Sequence, residues 1–186
     1  MIIGIDFGTC FSCIAIMKGF NPITTYIKET SDQGIPSQFM YSKETGKELY
    51  GIETLTGEAF KNNKDLIKNM KTLVREDQEN LKKKIPGHEF ILSEVIEKFL
   101  TYLITLAKNG AARSGEFDNS NIDDITVTVP AGIAQGDSLA TDYNNLVRES
   151  VKKITGLSED HIRVLQEPVA ASISYLYGEN LRIVNN

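Results

Sequence analysis

Cysteine, histidine and proline are all scarce in this chain. It has two cysteines, two histidines and five prolines in 186 residues. Two thiols cannot build the multi-bridge framework of a small secreted scaffold. They are also too few, without other clustered ligands, for a structural zinc site. Cys10 and Cys13 form a C-x-x-C spacing, but that redox motif normally opens a helix. Here it falls in a strand-turn-strand pattern, where positions three apart point to opposite faces. His88 and His161 stand alone among polar residues, and both read as surface groups.

No apolar run approaches the ~20 residues of a membrane-spanning helix. Nor is there an excess of basic charge. The net charge is −5, whereas nucleic-acid binding needs a basic surface to release counterions. Asp6 interrupts the first apolar stretch and no basic segment precedes it, so residues 1–17 do not read as a signal peptide. A cytoplasmic location is the expectation. There is no internal repeat and no low-complexity tract. What remains is an ordinary globular composition, 41% hydrophobic and 24% charged, enough for one domain or a large domain carrying an insertion.

The informative segment is the first one. Two apolar strand-like runs flank a turn holding Asp6, Gly8, Thr9 and Ser12. Glycine at position 8 lets the backbone approach a ligand closely. The N–H groups that follow, with the Thr9 hydroxyl, can face an anion. A carboxylate beside a phosphate repels it unless a cation lies between them, so Asp6 implies Mg²⁺. Taken alone, the segment also reads as an ordinary hairpin with Gly-Thr turn chemistry.

Residues 2–7, 11–17 and 22–27 predict three strands in a meander. Residues 32–37 read as a loop, and 38–42 with 48–50 as two short strands. From 54 to 81 the pattern is helical but broken, with lysines at 61, 64, 68 and 71. That spacing equally fits a solvated helix face. Residues 90–112 predict the strongest helix, with Leu92, Val95, Ile96, Phe99, Leu103 and Leu106 on one stripe. A polar loop over 113–121 follows. A buried strand at 124–129 stops at Pro130, and a helix over 138–154 ends at Gly156. A strand at 162–165 leads into a helix over 167–177, and 181–184 reads as a further strand. The order is an α/β one, with a second unit inserted after the meander.

These motifs, in this order, resemble the ATPase domain of the seventy-kilodalton heat-shock chaperones, within the actin and sugar-kinase superfamily. Gly4-Ile-Asp-Phe-Gly-Thr-Cys-Phe-Ser-Cys13 is similar to the family's first phosphate segment. Ile35-Pro-Ser37 and Leu49-Tyr-Gly51 resemble its Pro-Ser element and a Gly turn of its inserted subdomain. Met70-Lys-Thr-Leu-Val-Arg75 resembles the segment with the catalytic lysine. Thr126-Val-Thr-Val-Pro-Ala131 and Gln166-Glu-Pro-Val-Ala-Ala-Ser172 are similar to its later strand end and its Glu-Pro signature.

The resemblance implies an actin-like, ribonuclease H-like lobe, residues 1–37 and 116–186, with an inserted α+β subdomain over 38–115. It implies ATP and Mg²⁺ as ligands. Asp6, Gly8, Thr9, Cys10 and Phe11 would bind the nucleotide, Asp6 and Glu167 the metal, and Lys71 with Glu167 would be catalytic. The lobe would be the first of a two-lobed, Mg-dependent ATPase, inactive in isolation, since the second phosphate loop and the adenosine-binding segments have no match here. Partners implied for the full-length protein are unfolded peptide, a J-domain co-chaperone and a nucleotide-exchange factor. An actin-like filament ATPase and a non-hydrolysing nucleotide-binding module share parts of the pattern.

The chain departs from the family in several places. Cys10 replaces a threonine and Gln166 an asparagine. The 130–167 stretch is longer, and Asp137-Ser-Leu-Ala140 stands where the family has Asp-Ser-Gln-Arg. Arg148 is the nearest substitute for the linker-docking arginine.

Overall fold

The computed structural model describes residues 1–18, 21–24, 34–43, 45–55, 65–76, 78–114, 121–130 and 138–184. Its main sheet is mixed, in the order β3-β2-β1-β8-β9, with a two-residue strand β4 also paired to β2. The strands are β1 (Ile2–Asp6), β2 (Phe11–Lys18), β3 (Asn21–Thr24), β4 (Ile35–Pro36), β8 (Asp124–Val129) and β9 (Ile162–Gln166). The β1–β2–β3 meander is antiparallel, whereas β1–β8 and β8–β9 are parallel. Alternation in the sequence sets the two faces. Ile3, Ile5, Ile14, Ile16, Ile125 and Val127 point to one side and are buried.

Two helices cover that side. They are α2 (Leu92–Ser114) and α3 (Ser138–Thr155). Leu92, Val95, Ile96, Phe99 and Leu103 of the expected stripe are buried, as are Leu100, Ile104, Ala107 and Ala111. Leu106 is only partly buried. Phe99 stacks on Phe7 with ring centroids 5.6 Å apart, which ties α2 to the end of β1. Helix α3 ends at Gly156, whose N–H bonds to the Lys152 carbonyl at 2.8 Å, as the sequence predicts.

A second sheet, in the order β6-β5-β7, is formed by β5 (Phe39–Ser42), β6 (Lys47–Tyr50) and β7 (Leu66–Ile67). Rings fasten it to α2 and to the residues just before that helix. Phe39 meets Phe90 edge-on at 5.2 Å, and Tyr50 stacks on Tyr102 at 5.2 Å. Lys98 of α2 also donates to Glu48 at 2.6 Å, and the Tyr50 hydroxyl donates to the same carboxylate at 2.5 Å. Burial pushes the Glu48 carboxyl up, but these partners outweigh it and hold it below its ordinary value. A depressed carboxyl contributes stability above its unfolded value and loses it as pH falls through the folded one. The stability gap between the native chain and Glu48→Gln should therefore be widest near neutrality. It should shrink once the pH drops below 4.5, the ordinary value, which urea midpoints across pH would show.

Four expectations are corrected. Residues 35–36 pair with Phe11 and Ser12 as β4 rather than looping. Among its described residues, the 54–81 stretch is not one broken helix. A short 3-10 turn (Gly51–Leu55), β7, α1 (Met70–Glu76) and a second 3-10 turn (Gln78–Lys82) share it. Asn69 has φ 54°, a left-handed conformation that cannot continue a helix. Lys68 and Lys71 therefore share no helix face: Lys68 is exposed before α1, while Lys71 is buried inside it. Lys61 and Lys64 lie outside the described residues.

The helix expected over 167–177 runs on to Val184 as α4 (Glu167–Val184), and the strand expected at 181–184 is helical. A four-residue apolar run does not by itself distinguish strand from helix. Gly178 interrupts α4 without ending it, since a helical glycine costs only about 1 kcal/mol. Residues 25–27 of the third strand, residues 115–120 of the polar loop and Asp137 lie outside the described residues.

Candidate functional site

The C-terminal ends of the parallel strands meet the β1–β2 turn, the place where open α/β sheets bind ligands. A cleft of about 540 Å³ opens there, lined by Asp6, Gly8, Thr9, Thr128, Glu167, Ala170, Ala171 and Ser174. Each side chain has a local reason to be present. Asp6 is the last residue of β1. Thr128 is next to last in β8. Glu167 opens α4 directly from β9, with no loop between them, and Pro168 sits at the first turn, where its missing N–H costs nothing.

The turn is held rigidly. The Ser37 hydroxyl donates to the Gly8 carbonyl at 2.8 Å and lies 2.9 Å from the buried Ser12 hydroxyl. The Ser37 N–H reaches the Cys10 carbonyl at 2.8 Å. Gly8 allows this packing, because a Cβ there would sit 2.0 Å from the Phe11 carbonyl oxygen.

Lys71 is the unusual group. Its side chain is 1% exposed, yet its ammonium donates to Glu167 at 2.5 Å. The same nitrogen lies 5.2 Å from the centre of the Phe7 ring, within cation–π range. Burial pulls its proton affinity below the ordinary value, while Glu167 and the charge of Asp6 oppose that. A cation on α1 is thus carried to a carboxylate on α4 and beside one on β1. Helix α3 adds Tyr143, fully buried, its hydroxyl without a hydrogen-bond partner among the described residues. Burial, and then the Glu167 charge, push that phenol far up.

The structure brings together Asp6, Gly8, Thr9, Lys71 and Glu167. Cys10 and Phe11 are exposed at the start of β2 and do not line the cleft. Cys13 is a free thiol like Cys10. Partial burial and then Asp6 raise its proton affinity, which disfavours a reactive thiolate. His161 pairs with Asp124 at 3.3 Å, away from the cleft. Arg148 is engaged by the Ile162 carbonyl at 2.9 Å.

Sequence reasoning missed Thr128 and Ser174 as cleft residues, and the pairing of Ser12 with Ser37. A signal for Thr128 was present. Thr126 and Thr128 alternate with the apolar residues of β8, so they occupy the face that is not core. Only the register, Ile5 beside Val127, shows that Asp6 shares that face and that level.

The donor set suits a hydrated magnesium ion beside phosphates better than an all-protein metal cage. Among the described residues no three His, Cys, Asp or Glu cluster around one point. Two carboxylates with hydroxyls nearby match an ion that keeps several waters. Asp6 spends one oxygen on Thr128 at 2.6 Å, which leaves the other for such an ion. No helix among the described residues is long and apolar enough to cross a membrane.

The model of the family described as Hsp70 protein matches residues 2–181, nearly the whole chain and every element that builds the cleft. The chain belongs to the Hsp70 protein family, and it forms a chaperone nucleotide-binding domain of the kind that binds ATP.

Proposed function

We propose that this cleft takes the phosphate end of Mg-ATP, and that the chain is the first lobe of a two-lobed ATPase switching peptide binding. One observation carries the reading: the buried Lys71 ammonium meets Glu167 at the rim of a cleft holding Asp6, Thr9 and Thr128. In this reading the backbone at Gly8 and the Thr9 hydroxyl bind phosphate oxygens. Asp6 and Glu167 hold magnesium, which neutralises charge on those oxygens when bound. Lys71 keeps a positive charge aimed at the cleft, and Glu167 fixes where that ammonium points. Phosphoryl transfer asks the protein mainly for such positioning and charge.

We read 1–37 and 116–186 as the ribonuclease H-like body and 38–115 as the insertion, whose α2 packs on the body's sheet and whose α1 delivers Lys71. The separate β6-β5-β7 sheet supports that division. The exposed Val169, Ile173 and Leu176 of α4 suit packing against a second lobe. Unfolded peptide, a J-domain co-chaperone and a nucleotide-exchange factor are the partners proposed from family membership. Two free thiols fit a reducing, cytoplasmic setting.

Titration of ADP and ATP into the chain, followed by NMR, tests this reading. The cleft offers groups for phosphates, and the family's adenosine-binding segments have no match in this sequence, so millimolar rather than micromolar dissociation constants are expected, tightening with Mg²⁺. The shifts should centre on Asp6, Thr9 and Glu167. Saturation without any shift at these residues, or low-micromolar affinity, would overturn it.

A further inference from the structure

We infer that Thr128 is a positioning residue that sets the orientation of the Asp6 carboxylate toward the cation, resting on the reading of Asp6 as a magnesium-side group. The two residues are 122 apart in sequence, yet the Thr128 hydroxyl donates to Asp6 Oδ1 at 2.6 Å. Parallel pairing puts Ile5 beside Val127. The next residue of each strand therefore emerges at the same level on the opposite face. Both line the cleft.

The chemistry favours threonine in this role. An aspartate carboxylate has a broad torsion about its last bond and settles in no single plane. A β-branched side chain in a strand has a restricted first torsion. Thr128 is further confined because β8 lies between β1 and β9, and it is 9% exposed. Its hydroxyl is thus a fixed donor that engages one carboxylate oxygen and turns the other to the cleft. Ligand-orienting partners of this kind typically change metal affinity by about 10–100-fold when removed. Thr126 provides an internal control. It has the same residue type on the same face of the same strand, but Gly4 stands opposite it, with no carboxylate to orient.

The test uses ADP binding to the chain with and without Mg²⁺, and reads the ratio of the two dissociation constants. Thr128→Val should shrink the Mg²⁺ enhancement by about tenfold and leave the Mg²⁺-free constant unchanged. Thr128→Ser, which keeps the hydroxyl, should restore most of the enhancement, and Thr126→Val should leave it intact. A purely structural role for Thr128 predicts instead that both constants weaken together with a lowered melting midpoint, and that result would overturn the inference. Asp6→Asn separates the two claims. If it abolishes the enhancement while Thr128→Val does not, the role of Thr128 is wrong and that of Asp6 stands. If Asp6→Asn keeps the enhancement, or the native chain shows none, the reading of Asp6 fails and takes this inference with it.

Discussion

Replacing Lys71 by methionine should lower ATP turnover in the proposed two-lobed ATPase on the order of 10²–10³-fold, the usual cost of losing one preorganised electrostatic group. The folding stability of the chain should barely change. The two expectations have one cause. Lys71 is 1% exposed and its carboxylate partner, Glu167, is 41% exposed. Taking the ammonium out of water costs about what the pair returns, so an apolar side chain of similar length is close to neutral for stability. Glu167 simply regains its water. What methionine cannot supply is positive charge beside the transferring phosphate. Because that charge matters most as the transition state forms, nucleotide affinity should fall far less than turnover. Lys68→Met is the matched control: Lys68 is three residues away and exposed, and its loss should leave turnover unchanged. Single-turnover kinetics of the two variants, beside urea midpoints, would check this. Equal small effects would remove Lys71 from the site and leave its pairing with Glu167 a structural one.

The second large effect is expected at Gly8. An alanine there would place Cβ 2.0 Å from the Phe11 carbonyl oxygen and 3.2 Å from its carbon. Both atoms are backbone, so no rotamer change relieves the clash. The turn must open. Opening it pulls the Gly8 carbonyl from the Ser37 hydroxyl, and with it the contact between Ser37 and the buried Ser12. A loss of roughly 2–4 kcal/mol is expected, the upper range for a single substitution, with Mg-nucleotide binding abolished. Gly46→Ala is the comparison. Gly46 has φ 68° and nothing within 4 Å of a built Cβ, so it carries only the left-handed penalty of about 1–2 kcal/mol and should not touch binding. Denaturant midpoints and nucleotide titration of both variants decide the matter. Comparable binding losses in both would show that the turn does not form part of the site.

Much of this molecule was legible before any coordinates. Alternation marked β1, β2 and β8, and the Leu92–Phe99–Leu103 stripe marked α2, because burial of one face writes a period into the chain. The Asp6-Phe-Gly-Thr9 turn and Glu167 before Pro168 pointed to the proposed phosphate and metal chemistry through residue types awkward to place otherwise. The 54–81 stretch was not legible in the same way. There a strand of two residues, a helix of seven and a left-handed Asn69 follow one another too quickly for any period to develop.

Local pattern, then, determined the α/β class and the Gly8-Thr9 turn, since each depends on residues a few positions apart, and the order of such local motifs along the chain determined the family. Tertiary structure alone decided the rest. It separated Lys71 from its neighbouring lysines by burying it against Phe7, and it joined Lys71 to Glu167 across 96 residues. It also placed Thr128 against Asp6 through the β1–β8 register. A side chain's charge state, orientation and partner depend on which distant strand or helix faces it, and no spacing along the chain encodes that.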